Sequence, residues 1–436
     1  MMFSYYLRLA AENLKRNLSL TTLMVIAIGA GIGASMTTLA VFRAMSGDPI
    51  PAKSHQLFVV QVDNWGPNKP GQQSDDGLQE YLSYLDSQAL MTARAAKRQT
   101  RIYTTYLKAR SNSQIKPIET AVPAVDRDFF SMLNAPFKFG GTWSASDDEA
   151  GAPVLVLSRK LNDELFAGAD SVGKTLDAAG VSYRVAGVLK DWAVVPRFYG
   201  LHGGPFNHAD EMFIPFNRAI RAQLPTVSGL GCLADRAAGW EGLLQSDCTW
   251  IQLWVELQAA DVAGYRTFVH NYAAEQTRNG RFHWPAHTQI RDVMQWLKYR
   301  HVVPGEFGVL VLASFGFLFV CLMNAMGLML AKTMGRTQDI SVRRALGASR
   351  RAIAMQSLVE TVLVGVVGAA AGLGVTVLGV FVMRAILSDE YGALTYLDAE
   401  VVVIEMLFAV AATVAAGLYP TWRAAWVEPA LQLKAE

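Results

Sequence analysis

Four long apolar stretches set the terms on which this chain can fold. A bilayer core takes about 20 mainly apolar residues in helical form. Residues 18–42 carry no charge before Arg43, and residues 307–331 none before Lys332. Residues 357–383 hold one charge, Glu360, and residues 401–419 one, Glu405, each near the start of its stretch. The first stretch outruns the roughly 7–15 apolar residues of a signal-peptide core, so it reads as a retained span. Composition agrees: 52% of residues are apolar, only 17% are charged, and mean hydropathy is +0.21. Soluble domains run nearer 25% charged. A net charge of +2 lacks the basic excess of a nucleic-acid binder. Three cysteines are too few for a disulfide scaffold or a multi-zinc protein.

Charge between the stretches gives an orientation. Arg8, Lys15 and Arg16 precede the first, and Arg423 and Lys434 follow the last. Lys332, Arg336, Arg343, Arg344, Arg350 and Arg351 crowd the segment between the second and third. The segment between the third and fourth has Arg384 alone, against Asp389, Glu390, Asp398 and Glu400. Basic segments stay in the cytoplasm. The expectation is an α-helical membrane protein with four transmembrane helices, one followed by three. A large mixed α/β extracytoplasmic domain is inserted between helices 1 and 2. Residues 1–17 form a membrane-proximal amphipathic helix, 43–306 the external domain, 332–356 a cytoplasmic loop, 384–400 a short external loop, and 420–436 a cytoplasmic tail.

Within 43–306, residues 57–62, 154–157, 183–189 and 251–257 read as strands, and 78–85, 159–166 and 261–278 as helices. Strands mixed with helices predict an α+β or mixed fold in two subdomains. The run GADSVGKT at 168–175 fits the phosphate-loop pattern. That loop needs a strand before it and a helix after it, so that helix N-terminal amides face the phosphate. Here a helical pattern comes first and a strand follows, so the run reads as a glycine turn with a solvated Lys174. His283 and His287 have metal spacing, but Pro285 between them breaks the helix that would use it. His202 and His208 lie near Asp210 and Glu211 in a Gly/Pro-rich loop and read as solvated. No Ser/His/Asp or Cys/His set stands out. Cys232 and Cys248 bracket a Gly/Ala-rich stretch on the oxidising side, where a disulfide between them is favoured over two free buried thiols. Cys321 reads as an apolar side chain of the second span.

The loop KTMGRTQDISVRRALGASRRAIAMQ is the sharpest signal. Residues 339–346 have helical spacing, Gly347 suits a left-handed helix stop, and Ser349 can cap the next helix. Composition alone makes it a basic anchor or an anionic-lipid contact. However, Asp339-Ile340-Ser341-Val342-Arg343-Arg344-Ala345-Leu346-Gly347-Ala348-Ser349 resembles the coupling-helix region of MacB/FtsX-like (type VII) ABC transporter permeases. The resemblance runs the length of the chain. Leu14-Lys15-Arg16-Asn17 is similar to the family's entry to its first span. Val125-Asp126-Arg127-Asp128-Phe129-Phe130, Gly140-Gly141-Thr142-Trp143, Val172-Gly173-Lys174 and Val185-Ala186-Gly187-Val188 resemble its MacB-like periplasmic core domain. Pro420, Arg423, Ala424, Ala425 and Pro429 resemble its tail.

The resemblance implies a permease subunit in the bacterial inner (cytoplasmic) membrane, multi-pass, with both termini cytoplasmic. It would be no enzyme itself and would bind no cofactor directly. ATP would be used by a separate ABC-type ATPase that engages Asp339, Ile340, Arg343, Arg344, Leu346 and Gly347. It would work as a homodimer, or as a heterodimer with a related permease. A periplasmic adaptor and an outer-membrane channel are further partners it implies; membrane lipid surrounds it, and nucleic acid is excluded. Such permeases transmit force to their external domains and export a peptide, drug or other amphiphile. The alternative is an FtsX-like or lipoprotein-releasing transducer acting on an external protein. Unlike MacB-type chains with an N-terminal ATPase, this sequence opens on a membrane-proximal helix, and residues 224–248 read as an insertion. Residues 291–300 have helical apolar spacing suited to a stalk before the second span, and an ordinary surface helix has the same spacing. Gly29 and Gly33, like Gly368 and Gly372, are spaced for close helix packing, between chains or within one. Glu405 lies near enough to the outer end to snorkel.

Overall fold

A computed structural model describes residues 2–66, 76–110, 118–178, 180–200, 204–206, 209–227, 229–233, 236–386 and 399–425. Two compact units divide the chain: Met1–Ala44 with Pro304–Glu436, and Met45–Val303.

The first unit is helical. An opening helix, Met2–Arg16, is followed by Leu18–Ser46, Gly305–Met334, the short Thr337–Ala345, Arg350–Ile386 and Ala399–Ala425. Among the described residues, three helices are long and apolar enough to cross a membrane: Leu18–Ser46, Gly305–Met334 and Arg350–Val382, the last within Arg350–Ile386. In the last helix the apolar run among described residues is the shorter Val410–Tyr419. Outward side chains are apolar, as at Leu312, 74% exposed, which suits lipid rather than water.

Small residues let these helices approach. A Cβ on Gly29 would lie 3.1 Å from Ala371 Cβ, and one on Gly33 would strike Val375 at 2.5 Å. On the facing helix, a Cβ on Gly368 would meet Ile28 at 2.7 Å and one on Gly372 would meet Ile32 at 2.8 Å. The two glycine pairs therefore face each other within one chain, which resolves the choice their spacing left open. Met24, Ile28, Ile32 and Met36 fill the space beside Leu318, Ala325 and Val364.

The second unit is built on β1 (Leu57–Val62), β2 (Leu82–Ser83), β3 (Arg98–Arg110), β4 (Ile118–Val125), β5 (Phe137–Gly140), β6 (Val154–Leu157), β7 (Thr175–Ala178), β8 (Val181–Leu189), β9 (Met212–Pro215), β10 (Thr249–Glu256) and β11 (Thr288–Asp292). One sheet runs through them in the order β11-β1-β10-β3-β4-β9-β6-β8-β5, with β2 on β10 and β7 on β3 and β8. Met45–Val303 forms one compact unit. Pairing is mixed: β4 lies parallel to β9 and β6 to β8, while β3 and β4 form a long antiparallel pair. Buried Trp143, Trp254 and Trp296 anchor one apolar cluster, and Trp250 another.

Two local readings are corrected. The helix expected at 78–85 begins at Tyr84 and runs to Thr92, because Ser83 caps it by accepting from Asp86 N at 3.1 Å. The stalk expected at 291–300 is the end of β11 plus the short helix Val293–Tyr299, whose Val293, Trp296 and Leu297 are buried in the domain core. The spacing was that of a core-facing helix, and Pro304 separates it from the helix Gly305–Met334.

Candidate functional site: the loop between the second and third apolar helices

The loop folds as the helix Thr337–Ala345, capped by Leu346. Its stop is made by backbone. Ala348 N donates to Arg343 O at 3.0 Å and Gly347 N to Arg344 O at 3.0 Å, the paired bonds of a Schellman motif. Gly347 has φ +100°, a conformation costly for any residue with a Cβ. Ser349 then caps the third long helix, its Oγ accepting from Ala352 N at 3.2 Å.

Three side-chain tethers hold this corner to the bundle. The Lys332 ammonium pairs with the Glu360 carboxylate, both largely buried. Arg336 lies 3.6 Å from the same carboxylate and donates through Nη2 to Asn13 O at 2.9 Å. Arg343 donates to Gln356 Oε1 at 3.2 Å. The pairing of Lys332 with Glu360 was not anticipated from sequence. The signal for it was Glu360 itself, since a charge in an apolar stretch is expensive and implies a partner. A cavity of about 80 Å³ sits among these groups.

Of the residues expected to act here, Ile340 and Arg344 are partly covered, whereas Arg343, Leu346 and Gly347 are exposed. Leu346 is 83% exposed and Val342 is also open. The side chain of Asp339 lies outside the described residues, as do those of Glu405 and Arg423, and all of His202 and His208.

In the other unit, Cys232 and Cys248 are joined, with Cα atoms 4.3 Å apart and a sequence separation of 16. The run 168–175 follows the helix Arg159–Phe166 and leads into β7, with no helix to present amides to a phosphate. Its Lys174 is exposed, with Nζ 5.5 Å from the Phe166 ring centroid. Among the described residues no cluster of three His, Cys, Asp or Glu could hold a metal. The Val125–Phe130 motif proves structural. Asp126 accepts from Arg101 Nη2 at 2.7 Å, Nε at 3.0 Å and its backbone N at 2.7 Å, while Phe129 and Phe130 are buried. Beside that pair opens a charged cleft of about 550 Å³. There burial, together with the Asp126 charge, pushes the Asp148 carboxyl up to about 6.

Comparison with known proteins assigns both units. Residues 21–262 match the family model of the MacB-like periplasmic core domain, and residues 311–429 match that of the FtsX-like permease C-terminal. The macrolide export ATP-binding/permease protein MacB of Rhodospirillum rubrum is 26% identical over all of this chain, which spans 61% of it. The ABC transporter permease YknZ of Bacillus subtilis is 22% identical over 95% of this chain, which spans 92% of it. The pyoverdine export ATP-binding/permease protein PvdT of Pseudomonas syringae pv. tomato is 25% identical over 71% of this chain and 42% of its own length. Among solved structures, the periplasmic region of MacB from Actinobacillus actinomycetemcomitans aligns over 56% of this chain and 92% of its own, with TM-score 0.36 and 12% identity.

Proposed function

Because the chain belongs to the MacB/FtsX-like (type VII) ABC transporter permease family, we propose that it couples ATP hydrolysis by a separate ABC ATPase to movement of its external domain. In this reading it crosses the bacterial inner membrane four times, with both termini and the helix Thr337–Ala345 in the cytoplasm. Two permease subunits work together, and ATP binds the ATPase subunits. The motion expels an amphiphile, drug or peptide from the external side. Macrolide export and pyoverdine export, in the names of two relatives, support that substrate class. Two relatives of Bacillus subtilis, of which this chain spans 70% and 92%, are named ABC transporter permeases, which supports the permease role.

The observation that carries the reading is the end of the helix Thr337–Ala345. A Schellman stop holds Leu346 out at 83% exposure, next to Val342 and Arg343, while the Lys332–Glu360 ion pair and the Arg343–Gln356 hydrogen bond fix its flanks. A lone exposed leucine is ordinary. One fixed in place by a glycine stop and flanked by arginines is suited to a groove on an acidic partner. The test is co-purification of an ABC ATPase with the full chain, followed by ATP turnover in proteoliposomes. ATPase stimulated by this chain and coupled to export of a labelled amphiphile is the expected result. Turnover by the chain alone, or no ATPase retained, would overturn the reading.

A further inference from the structure

The cleft of about 550 Å³ beside Arg101 and Asp126 is in the size range of small-molecule sites. Its floor is closed. Arg101 is held by Asp126, donates through Nη1 to Gln88 Oε1 at 2.6 Å and through Nη2 to Asn217 Oδ1 at 3.3 Å, and Asn217 Nδ2 donates to Asp148 O at 3.0 Å. This chain of bonds crosses from the helix Tyr84–Thr92 to the helix Ala145–Ala150, so these two elements stand on opposite sides of the floor. Arg127 and Asp128 lie between them as adjacent opposite charges.

The two sides differ in sign. On the first, Arg94, Lys97 and Arg98 occupy the turn after Tyr84–Thr92 and the start of β3. Glu256 serves two of them, Arg98 at 2.9 Å and Lys97 at 3.6 Å, and it also takes Lys53 at 3.6 Å. The Arg94 side chain is exposed and has no partner among the described residues. Its backbone has φ +49°, at a helix end where glycine is the usual residue. On the second side are Asp148 and Glu149. Asp148 accepts only from neutral donors, Trp143 Nε1 at 2.7 Å and Arg127 N at 3.2 Å, and the exposed Glu149 carboxylate has no partner among the described residues. Gln99, 6% exposed, also lines the cleft; its Nε2 donates to Met91 O and its Oε1 has no partner.

We propose that this cleft binds a linear zwitterion, its anionic end on Arg94 and Lys97 and its ammonium on Asp148 and Glu149, with a short peptide free at both ends as the class that fits. A ligand of one sign would leave one side uncompensated. Opposite charges at the two ends gain charge-assisted hydrogen bonds on both. Backbone amides between the ends would supply the donor that Gln99 Oε1 lacks. Met91, Ala96 and Ala145 add apolar surface beside small side chains. The inference deepens the export reading by naming a cargo class, and it rests on that reading only for the ligand being cargo.

The full chain in nanodiscs, with no ATPase present, is titrated by calorimetry with tetra-alanine, its N-acetylated form, its C-terminal amide and ε-aminocaproate. Tetra-alanine should bind, and blocking either end should weaken it about fivefold, the effect of a partly exposed ion pair. Arg94→Gly removes the charge at a backbone position that glycine prefers, so this variant should melt no lower than the parent. In it the preference for the free peptide over the amide should shrink to within about twofold, while the effect of acetylation persists. Glu149→Gln should shrink the effect of acetylation and keep that of amidation. Binding of ε-aminocaproate as tight as that of tetra-alanine would support the two-ended site and widen its ligand class beyond peptides. Silence of both ligands, blocked peptides binding as tightly as the free one, or a full preference for the free peptide over the amide in Arg94→Gly would each overturn the proposal. Peptide binding with no ATPase retained would refute the coupling reading alone, and coupled export with a silent cleft would refute this one alone.

Discussion

Truncating Leu346 separates docking from folding more cleanly than any other change in the loop. The side chain is 83% exposed, so removing it takes little from the folded chain. Substitutions at such sites usually stay within about 0.5 kcal/mol. The backbone at Leu346 has φ −81°, which alanine adopts without strain. A leucine side chain taken fully out of water contributes about 1.5–3 kcal/mol. Burial of most of the exposed part in a partner groove, less what alanine keeps, leaves a loss of about 2 kcal/mol. That corresponds to roughly 30-fold in affinity. Arg343→Ala removes an exposed charge worth about 0–1 kcal/mol, so fivefold is its approximate ceiling. The assay titrates the ATPase subunit into nanodiscs holding the full chain, reading affinity and stimulated turnover together. Leu346→Ala should raise Kd about 30-fold and leave turnover at saturation unchanged. A Kd within twofold of the parent, with a normal melting curve, would mean that Leu346 faces solvent in the complex and that the loop only anchors.

Gly347→Val should lower both docking and export, because φ +100° strains a β-branched residue by on the order of 1–3 kcal/mol. No atom lies within 4 Å of its new Cβ, so the loss is backbone strain alone; Gly347→Asn should recover much of the activity, and equal loss in both variants would refute this. Replacing Cys232 and Cys248 together by alanine should lower the melting temperature of the external unit by roughly 6–12 °C, since the cross-link closes a separation of 16 residues. An unchanged melting temperature under oxidising conditions would show that the bond adds nothing. Asp148 gives a pH test. Its folded pKa, raised to about 6, means that the folded state binds the proton more tightly than the unfolded chain. Its favourable contribution is therefore full below the ordinary aspartate range and is lost as pH rises through about 6. Asp148→Asn should flatten that decline, by on the order of 2 kcal/mol across the interval, and a calorimetric pH profile identical to the parent would refute the assignment.

How far the fold could be read from the sequence depended on whether a signal was local. The helix Arg159–Phe166 was legible because Ser158 caps it and its apolar residues recur at helical spacing. β10 was legible from its apolar and aromatic residues Trp250, Ile251, Leu253, Trp254 and Val255, and every residue in it is buried. β3 was missed. Its RQTRIYTTYLKAR mixes charge and hydroxyls, and it becomes a strand because β4, β10 and β7 all pair with it. Its Arg101 is held in the interior by Asp126, 25 residues away. The helix expected at 78–85 failed at its start, where the apolar pattern outran the cap at Ser83. The span 291–300 failed differently, since a buried amphipathic helix and a stalk share one periodicity. The glycine pairs were seen as packing sites, but only the facing register of Ile28 and Ile32 assigns them to contact within the chain.

The site was legible in its backbone and hidden in its tethers. A left-handed glycine after Leu346 and a serine cap after it are local signals, so the short helix and its stop could be read in advance. The pair of Lys332 with Glu360 joins groups 28 positions apart, and the contact of Arg336 with Asn13 spans more than 300. No local pattern carries either. These tethers matter for transmission. A helix joined to its neighbours only through flexible chain would absorb a push as loop motion. Here Lys332–Glu360 locks the two long helices at the base of the loop. Arg336 ties that base to the opening helix, and Arg343 ties the loop helix to the third long helix through Gln356. Breaking a buried ion pair at one partner typically costs about 3–5 kcal/mol, far more than an exposed arginine contact, so the base yields last. In the proposed coupling, a displacement of Leu346 would then reach the opening, second and third helices together.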